Sequence, residues 1–180
     1  MQIIDFIFPK MCIFCGKIGE DICSSCIKKL PHTLPSCPIC NKLSYNFCSH
    51  KKCSEENIQC FTGWYITKGI EYILLTKISS LIFSPYIFLL DLLIKYLKID
   101  SIVNCSKVLP MYSLDRKEFQ LNAKLANHIG NQYSKNIDIL FVGYQLKGNQ
   151  DIRDNIKRLP LGESLNIRFL ILFKSTFIQK

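Results

Sequence analysis

Nine cysteines between residues 12 and 60 constrain this chain more than any other feature in it. They run Cys12-x-x-Cys15, Cys23-x-x-Cys26 and Cys37-x-x-Cys40, followed by Cys48, Cys53 and Cys60. A shift of 25 residues lays Cys12 on Cys37, Cys15 on Cys40 and Cys23 on Cys48. The ladder is therefore a tandem repeat whose unit is a pair of cysteine knuckles. Only the fourth position slips, because Cys26 falls on Lys51 and Cys53 lies two residues further on.

A Cys-x-x-Cys turn can present two sulfurs to one metal about 2.3 Å away, and two such turns close a structural tetrahedron. The spacing predicts two structural zinc ions. The first is held by Cys12, Cys15, Cys23 and Cys26, and the second by Cys37, Cys40, Cys48 and Cys53. Cys60 or His50 could supply the fourth ligand of the second site instead. Disulfides would need an oxidising compartment, and a redox dithiol normally stands alone beside a βαβ pattern rather than in an array. Sites closed by four thiolates leave no position for a catalytic water.

Length and charge bound the rest. At 180 residues the chain is one ordinary domain, or a small module plus a small domain. The formal net charge is +9. Two zinc ions and eight thiolates lower it to about +5. Residues 61–180 carry 16 Lys and Arg against nine acids, so the positive excess lies there. Such a body attracts polyanions with little sequence preference, or is simply a solvated basic surface. The opening Met1–Lys10 is apolar but lacks a basic n-region and a continuous apolar core. It is not a secretory signal, and the expected location is cytoplasmic.

Residues 2–8 suggest a short helix or strand, and residues 10–60 hold too few large apolar side chains to fold without metal, which would supply on the order of 10 kcal/mol per site. Phe61, Trp64, Tyr65 and Ile66 suggest a strand. A helix opening at Gly69-Ile70 follows, with Ile70, Ile73, Leu74 and Ile78 at helical spacing. The run from Leu81 to Leu97 is the most hydrophobic, but Pro85, Asp91 and Lys95 argue for a buried or amphipathic helix over Pro85–Leu97 rather than a membrane span. Ile102-Val103 and Val108–Tyr112 form a buried strand, residues 117–133 a helix with Phe119, Leu121, Leu125, Ala126 and Ile129 facing in, and Ile137–Tyr144 a second strand. Residues 147–158 are a polar stretch, and Cys105 is a buried or incidental thiol. The order strand, helix, strand predicts an α/β fold with a partly parallel sheet.

Several pieces together resemble the ComF-type competence proteins. Phe8-Pro9-Lys10-Met11-Cys12-x-x-Cys15-Gly16 resembles the family's opening. Gly69-Ile70 and the helix to Lys77 resemble the segment after its ribbon, and Leu109-Pro110-Met111-Tyr112 its Val-Pro-Val-Pro strand end. Phe119–Ala126 resembles its Gly-Phe-Asn-Gln helix start, and Asn166-Ile167-Arg168 the end of its Arg-x-x-Asn-Val-Arg segment. The resemblance implies a double zinc ribbon over residues 1–60, followed by a type I phosphoribosyltransferase-like, Rossmann-like domain over 61–180. It also implies a link to DNA uptake or processing, with single-stranded DNA or a competence-type helicase as partner.

The departures bear on activity. Glu118, Gln120 and Leu121 stand where the family has Gly, Asn and Gln, and Glu163 stands where it has Arg. The acidic-acidic-x-x-Thr-Thr-Gly loop that holds phosphoribosyl pyrophosphate (PRPP) in that family has no counterpart: Ser175-Thr176 lacks the acids and the glycine, and Gly162-Glu163-Ser164 is the nearest other turn. A phosphate cradle needs a glycine-permissive turn at a helix start. Among the histidines, His32 is read as a surface residue, His50 as a spare zinc ligand and His128 as a cap on a helix end. The expectation is thus a truncated, non-catalytic ComF-like protein with no catalytic and no cofactor-binding residues other than its zinc ligands and no established small-molecule substrate, acting through its ribbons and the Lys and Arg of residues 107–168. The alternatives are a phosphoribosyltransferase acting on PRPP, and a degraded remnant of the family, suggested by the tail from Phe169 to Lys180.

Overall fold

The computed structural model describes residues 9–54, 58–80, 82–99, 106–130, 138–147, 149–159 and 167–175. Residues 2–8, Ile102-Val103, Cys105, the Gly162–Ser164 turn, Asn166 and Thr176, all singled out above, lie outside the described residues. The elements in order are α1 (Ser24–Ile27), a 3-10 turn at Tyr45–Phe47, β1 (Ile58–Ile66), α2 (Lys68–Ser79), α3 (Ser84–Leu97), β2 (Ser106–Pro110), α4 (Arg116–Gly130), β3 (Asp138–Leu146), α5 (Asn149–Ile156) and β4 (Ile167–Ser175).

The four strands form one parallel sheet in the order β1-β4-β3-β2. β4 sits inside it, with Phe169 beside both Cys60 and Phe141. Alternation along β3 sends Leu140, Val142 and Tyr144 to one face, and Ile139 and Phe141 to the other. The first face packs on α2, α3 and α4 through Leu74, Leu90, Leu93, Leu121 and Leu125. The second meets Ile152 of α5 and Ile39 of the second ribbon. A strand covered on both faces is apolar almost throughout, and Phe169 to Phe173 is fully buried. The segment from Phe169 to Ser175 is therefore an interior strand.

The helices follow from their sequences. In α3, Pro85 at the start fits a position whose N–H needs no partner. Tyr86, Leu89, Leu90 and Leu93 are buried, and the Tyr86 hydroxyl donates to the Leu74 carbonyl at 2.7 Å. The helix stops where Lys98 turns left-handed and the Ile99 N–H returns to the Ile94 carbonyl. No helix among the described residues is long and apolar enough to cross a membrane. α4 begins on Asp115, whose Oδ1 accepts the N–H groups of Lys117 and Glu118 at 2.8 and 2.9 Å. Its buried stripe is Glu118, Leu121, Asn122, Leu125, Ala126 and Ile129. Phe119 lies off that stripe and is exposed, contrary to the inward position expected for it.

The ribbons lie along the outer edge of β1. Tyr65 N–H donates to the Pro31 carbonyl at 2.8 Å, and Thr33 N–H to the Gly63 carbonyl at 3.0 Å. Ser49 N–H donates to the Ile58 carbonyl at 2.8 Å. The Thr33 hydroxyl adds a 2.6 Å bond to the Thr62 carbonyl. The division expected at residue 60 thus falls inside β1, a strand that both halves share.

Candidate metal centres and the cleft at the strand ends

The first knuckle pair folds as the spacing dictates. Gly16 N–H returns to the Cys12 carbonyl and Cys12 N–H to the Lys17 carbonyl, both at 2.8 Å. Gly16 sits at φ 73°, a left-handed turn that glycine adopts without strain. The second pair repeats this 25 residues on: Asn41 N–H to the Cys37 carbonyl at 2.9 Å, Cys37 N–H to the Lys42 carbonyl at 2.8 Å, and Asn41 at φ 60°. Asparagine is among the few residues that tolerate that region.

The second half of each ribbon breaks the 25-residue register. Cys23 N–H donates to Cys12 Sγ at 3.3 Å, and its counterpart is His50 N–H, which donates to Cys37 Sγ at 3.5 Å. The turn that follows is Cys26 N–H to the Cys23 carbonyl at 3.0 Å in one ribbon and Cys53 N–H to the His50 carbonyl at 2.8 Å in the other. Cys23 therefore maps onto His50 and Cys26 onto Cys53, both 27 residues apart. Two extra residues have entered the second ribbon between Ser44, still in the first register, and His50. The 3-10 turn with Asn46 and Phe47 at positive φ occupies this stretch.

The structure accordingly brings together two sets of ligand atoms. Cys12, Cys15, Cys23 and Cys26 form one, and Cys37, Cys40, His50 and Cys53 the other, all atoms in each lying within 4.8 Å of one another. This corrects the third ligand of the second site. Cys48 stands outside the set, its Sγ facing the Asn46 carbonyl at 3.5 Å and Gln59 Nε2 at 3.4 Å. The physical reason is the extra pair of residues: Cys48 is carried onto the strand-like edge, bridged to Gln59, before the metal-facing turn begins. Cys60 lies buried within β1, also outside the set.

The geometry fits a tetrahedral ion. Sulfurs about 2.3 Å from a common metal stand about 3.8 Å apart, and a sulfur and an imidazole nitrogen about 3.6 Å. Cys15 and Cys23 Sγ are separated by 3.7 Å. His50 Nδ1 is 3.3 Å from Cys40 Sγ and 4.0 Å from Cys53 Sγ. A disulfide would need about 2.05 Å, and these cysteines are free thiols. His50 Nε2 is 3.0 Å from the Leu43 carbonyl. A carbonyl only accepts, so Nε2 carries the proton and the Nδ1 lone pair points at the sulfurs. A second-sphere bond of this kind fixes the tautomer of metal-bound histidines.

The thiols divide within each set. Burial works to raise Cys12, but the backbone N–H groups of Cys23, Phe14 and Cys15 outweigh it and bring the thiol down to about 6. Burial, together with its sulfur neighbours Cys23, Cys15 and Cys12, pushes Cys26 up to about 12. In the second ribbon burial is again overcome at Cys37, lowered to about 7 by the N–H groups of His50, Cys40 and Ile39, while Cys53 rises to about 11. Closely packed thiols cannot all ionise without a cation among them, and a dication removes the conflict by deprotonating all of them.

A second feature lies at the carboxyl ends of β2 and β3, where open α/β sheets place ligands. A cleft of about 370 Å³ opens there, lined by residues that include Tyr112, Asp115, Glu118, Lys147, Asp151, Asp154 and Arg158. Buried Asn122 frames it, donating to the Met111 carbonyl and accepting from the Tyr144 N–H at 2.9 and 2.8 Å. Glu118 accepts from Lys147 Nζ at 2.7 Å and from the Ser113 hydroxyl at 3.1 Å. Arg158 lies 3.5 Å over the Tyr112 ring. Among the described residues, four carboxylates thus face two cations, and none of the lining residues is a glycine. Of the remaining histidines, His32 is exposed and stacks on Tyr96 at 4.7 Å, and His128 joins Asp91 of α3 at 2.9 Å.

No curated protein and no solved structure shows significant similarity to this chain. Residues 3–58 match the family model of the double zinc ribbon domain, and the two closed ligand sets found within them fit two structural zinc ions.

Proposed function

We propose that the chain is a ComF-like binding protein, with a phosphoribosyltransferase-like α/β unit behind its zinc ribbons, that serves DNA uptake or processing by contact rather than by turnover. The observation that carries this reading is the state of the two places where chemistry would occur. Both metal sets are closed by four protein ligands, which suits a structural ion. Among the described residues the cations lining the strand-end cleft are already paired, Lys147 with Glu118 and Arg158 with Tyr112, and the lining carries more acid than base. A PRPP site needs the reverse, backbone N–H groups and positive charge aimed at phosphate.

Contact with nucleic acid would fall to exposed cations such as Arg116, Lys117 and Lys124 of α4 and Lys157 beyond α5. Phosphate contacts release counterions, so affinity falls steeply with salt. Titration of a fluorescent single-stranded oligonucleotide from 50 to 200 mM salt tests this: affinity should fall by about ten-fold or more for a few phosphate contacts. Affinity independent of salt, or no binding at either concentration, would remove the phosphate-contact mechanism. Magnesium-dependent micromolar binding of PRPP in a calorimeter would shift the reading to a transferase.

A further inference from the structure

Lys174 stands out among the buried groups. It lies on interior strand β4, is 5% exposed, and its Nζ donates to Ser36 Oγ at 2.8 Å. Ser36 directly precedes Cys37, the first ligand of the second metal set. No carboxylate among the described residues lies within ion-pair distance of this ammonium. A buried cation with no opposite charge costs several kcal/mol and is seldom kept.

Two sulfurs act electrostatically on Lys174, Cys60 and Cys37, while burial works against its charged form. Burial outweighs the opposing pull of the Lys174 charge and pushes the Cys60 thiol up to about 12, so it is neutral near pH 7. Among the described residues the remaining anion is the metal centre of Cys37. A zinc ion with three thiolates and a neutral imidazole holds one net negative charge, matched in sign and number by one ammonium.

We propose that Lys174 is a positioning residue for the second zinc centre, its ammonium, aimed by Ser36, serving as the counter-charge to the Cys37, Cys40, His50, Cys53 site. Retention of that metal then depends on a residue of β4, far along the chain, and the second ribbon and the sheet hold each other in place. Among the described residues the first centre has no such lysine in its hydrogen bonds and ion pairs, so the two sites respond differently.

The test is metal release from the full-length, metal-loaded chain into excess chelator, with a chromogenic reporter for zinc. A parallel experiment with cobalt uses the ligand-field bands, which differ between four sulfurs and three sulfurs with one nitrogen and so assign each phase to its site. Lys174→Met should speed release from the second site about 10- to 100-fold, the range expected for loss of an outer-sphere partner, and leave the first unchanged. Lys174→Arg, which keeps the charge, should restore slow release. Ser36→Ala keeps the ammonium but loses its aim, and should move the same phase by a smaller factor. An unchanged second-site phase in Lys174→Met would overturn the proposal. So would equal acceleration of both phases, since that reports general loosening. If Lys174→Met does not fold, Ser36→Ala decides: no shift in its second-site phase would overturn the proposal.

Discussion

The third ligand of the second centre is where the sequence repeat and the folded ribbon disagree, and substitution there has a definite expected outcome. His50→Ala should reduce the zinc content from two ions to one, and Cys48→Ala should leave it at two. His50 Nδ1 lies 3.3 and 4.0 Å from two sulfurs of its set, bracketing the about 3.6 Å of a tetrahedral edge. Cys48 Sγ instead meets Gln59 Nε2 and the Asn46 carbonyl. A structural zinc site supplies about 10–16 kcal/mol in small domains. If the four ligands share that evenly, removing one costs about 2.5–4 kcal/mol, or roughly 60- to 700-fold in affinity at about 1.4 kcal/mol per decade. Cys48→Ala removes a half-buried thiol and should cost under about 1 kcal/mol of stability. Native mass spectrometry after brief exposure to a moderate chelator counts the ions in each variant. A Cys48→Ala protein with one zinc beside a His50→Ala protein with two would refute the 27-residue equivalence and restore the simple repeat.

Three further outcomes follow from the packing and the thiol chemistry. A Cβ on Gly63 would stand 2.7 Å from the Leu172 carbonyl oxygen and 3.2 Å from both Leu93 methyls. The carbonyl belongs to an interior strand and cannot yield, so Gly63→Ala should lower unfolding stability by about 1–3 kcal/mol or more; a midpoint in urea equal to that of the parent would contradict the close approach. The single tryptophan, Trp64, is fully buried beneath the ribbon edge, bridged to His32, so stripping zinc should shift its emission to the red, and a spectrum unmoved by chelator would show that the ribbon does not cover it. Cys26 and Cys53, raised to about 12 and 11, hold protons at neutral pH, so zinc loading of apoprotein should release at least one proton per site in weak buffer. Zinc retention should correspondingly weaken as pH falls, and more steeply below about 7 and 6, where Cys37 and Cys12, the thiols depressed below their ordinary 9.0, also compete with protons. Retention that is flat across that window would contradict thiolate ligation.

Much of this was legible because cysteine spacing and hydrophobic period are local signals. The first metal set, α3 and the strands around Trp64 and Phe141 are written that way. The second set was legible only in part. The 25-residue shift holds through Ser44 and then fails, and the signal that survives is the x-x spacing of His50 and Cys53, matching Cys23 and Cys26. A metal turn is defined by its own spacing, while the loop before it can lengthen at little cost. α5 escaped because it is short and polar, with Ile152 and Ile156 as its one apolar stripe. Phe119 was misplaced by the apolar count: the buried stripe of α4 includes Glu118 and Asn122, held by Lys147 and by the backbone at Met111 and Tyr144. Tertiary hydrogen bonds, which no periodicity announces, decided that face.

The same long-range bonding explains why the ribbons and the sheet are one physical unit. A parallel sheet leaves its edge strands with unpaired N–H and C=O groups, and such edges pair with other chains unless something covers them. On β1 the cover is the metal module: residues 31–33 and 49 bond along the edge, and Lys174 reaches back from β4 to Ser36. Among its described residues the module buries few aliphatic side chains, Ile22 and Leu30 within the main cluster with Ile13 and Ile27 packed partly against it. Its shape therefore depends on the metal, and the edge of β1 depends on that shape. Zinc in this chain acts at a distance from its ligands, since holding two knuckles in place keeps a strand of the sheet from presenting a bare edge.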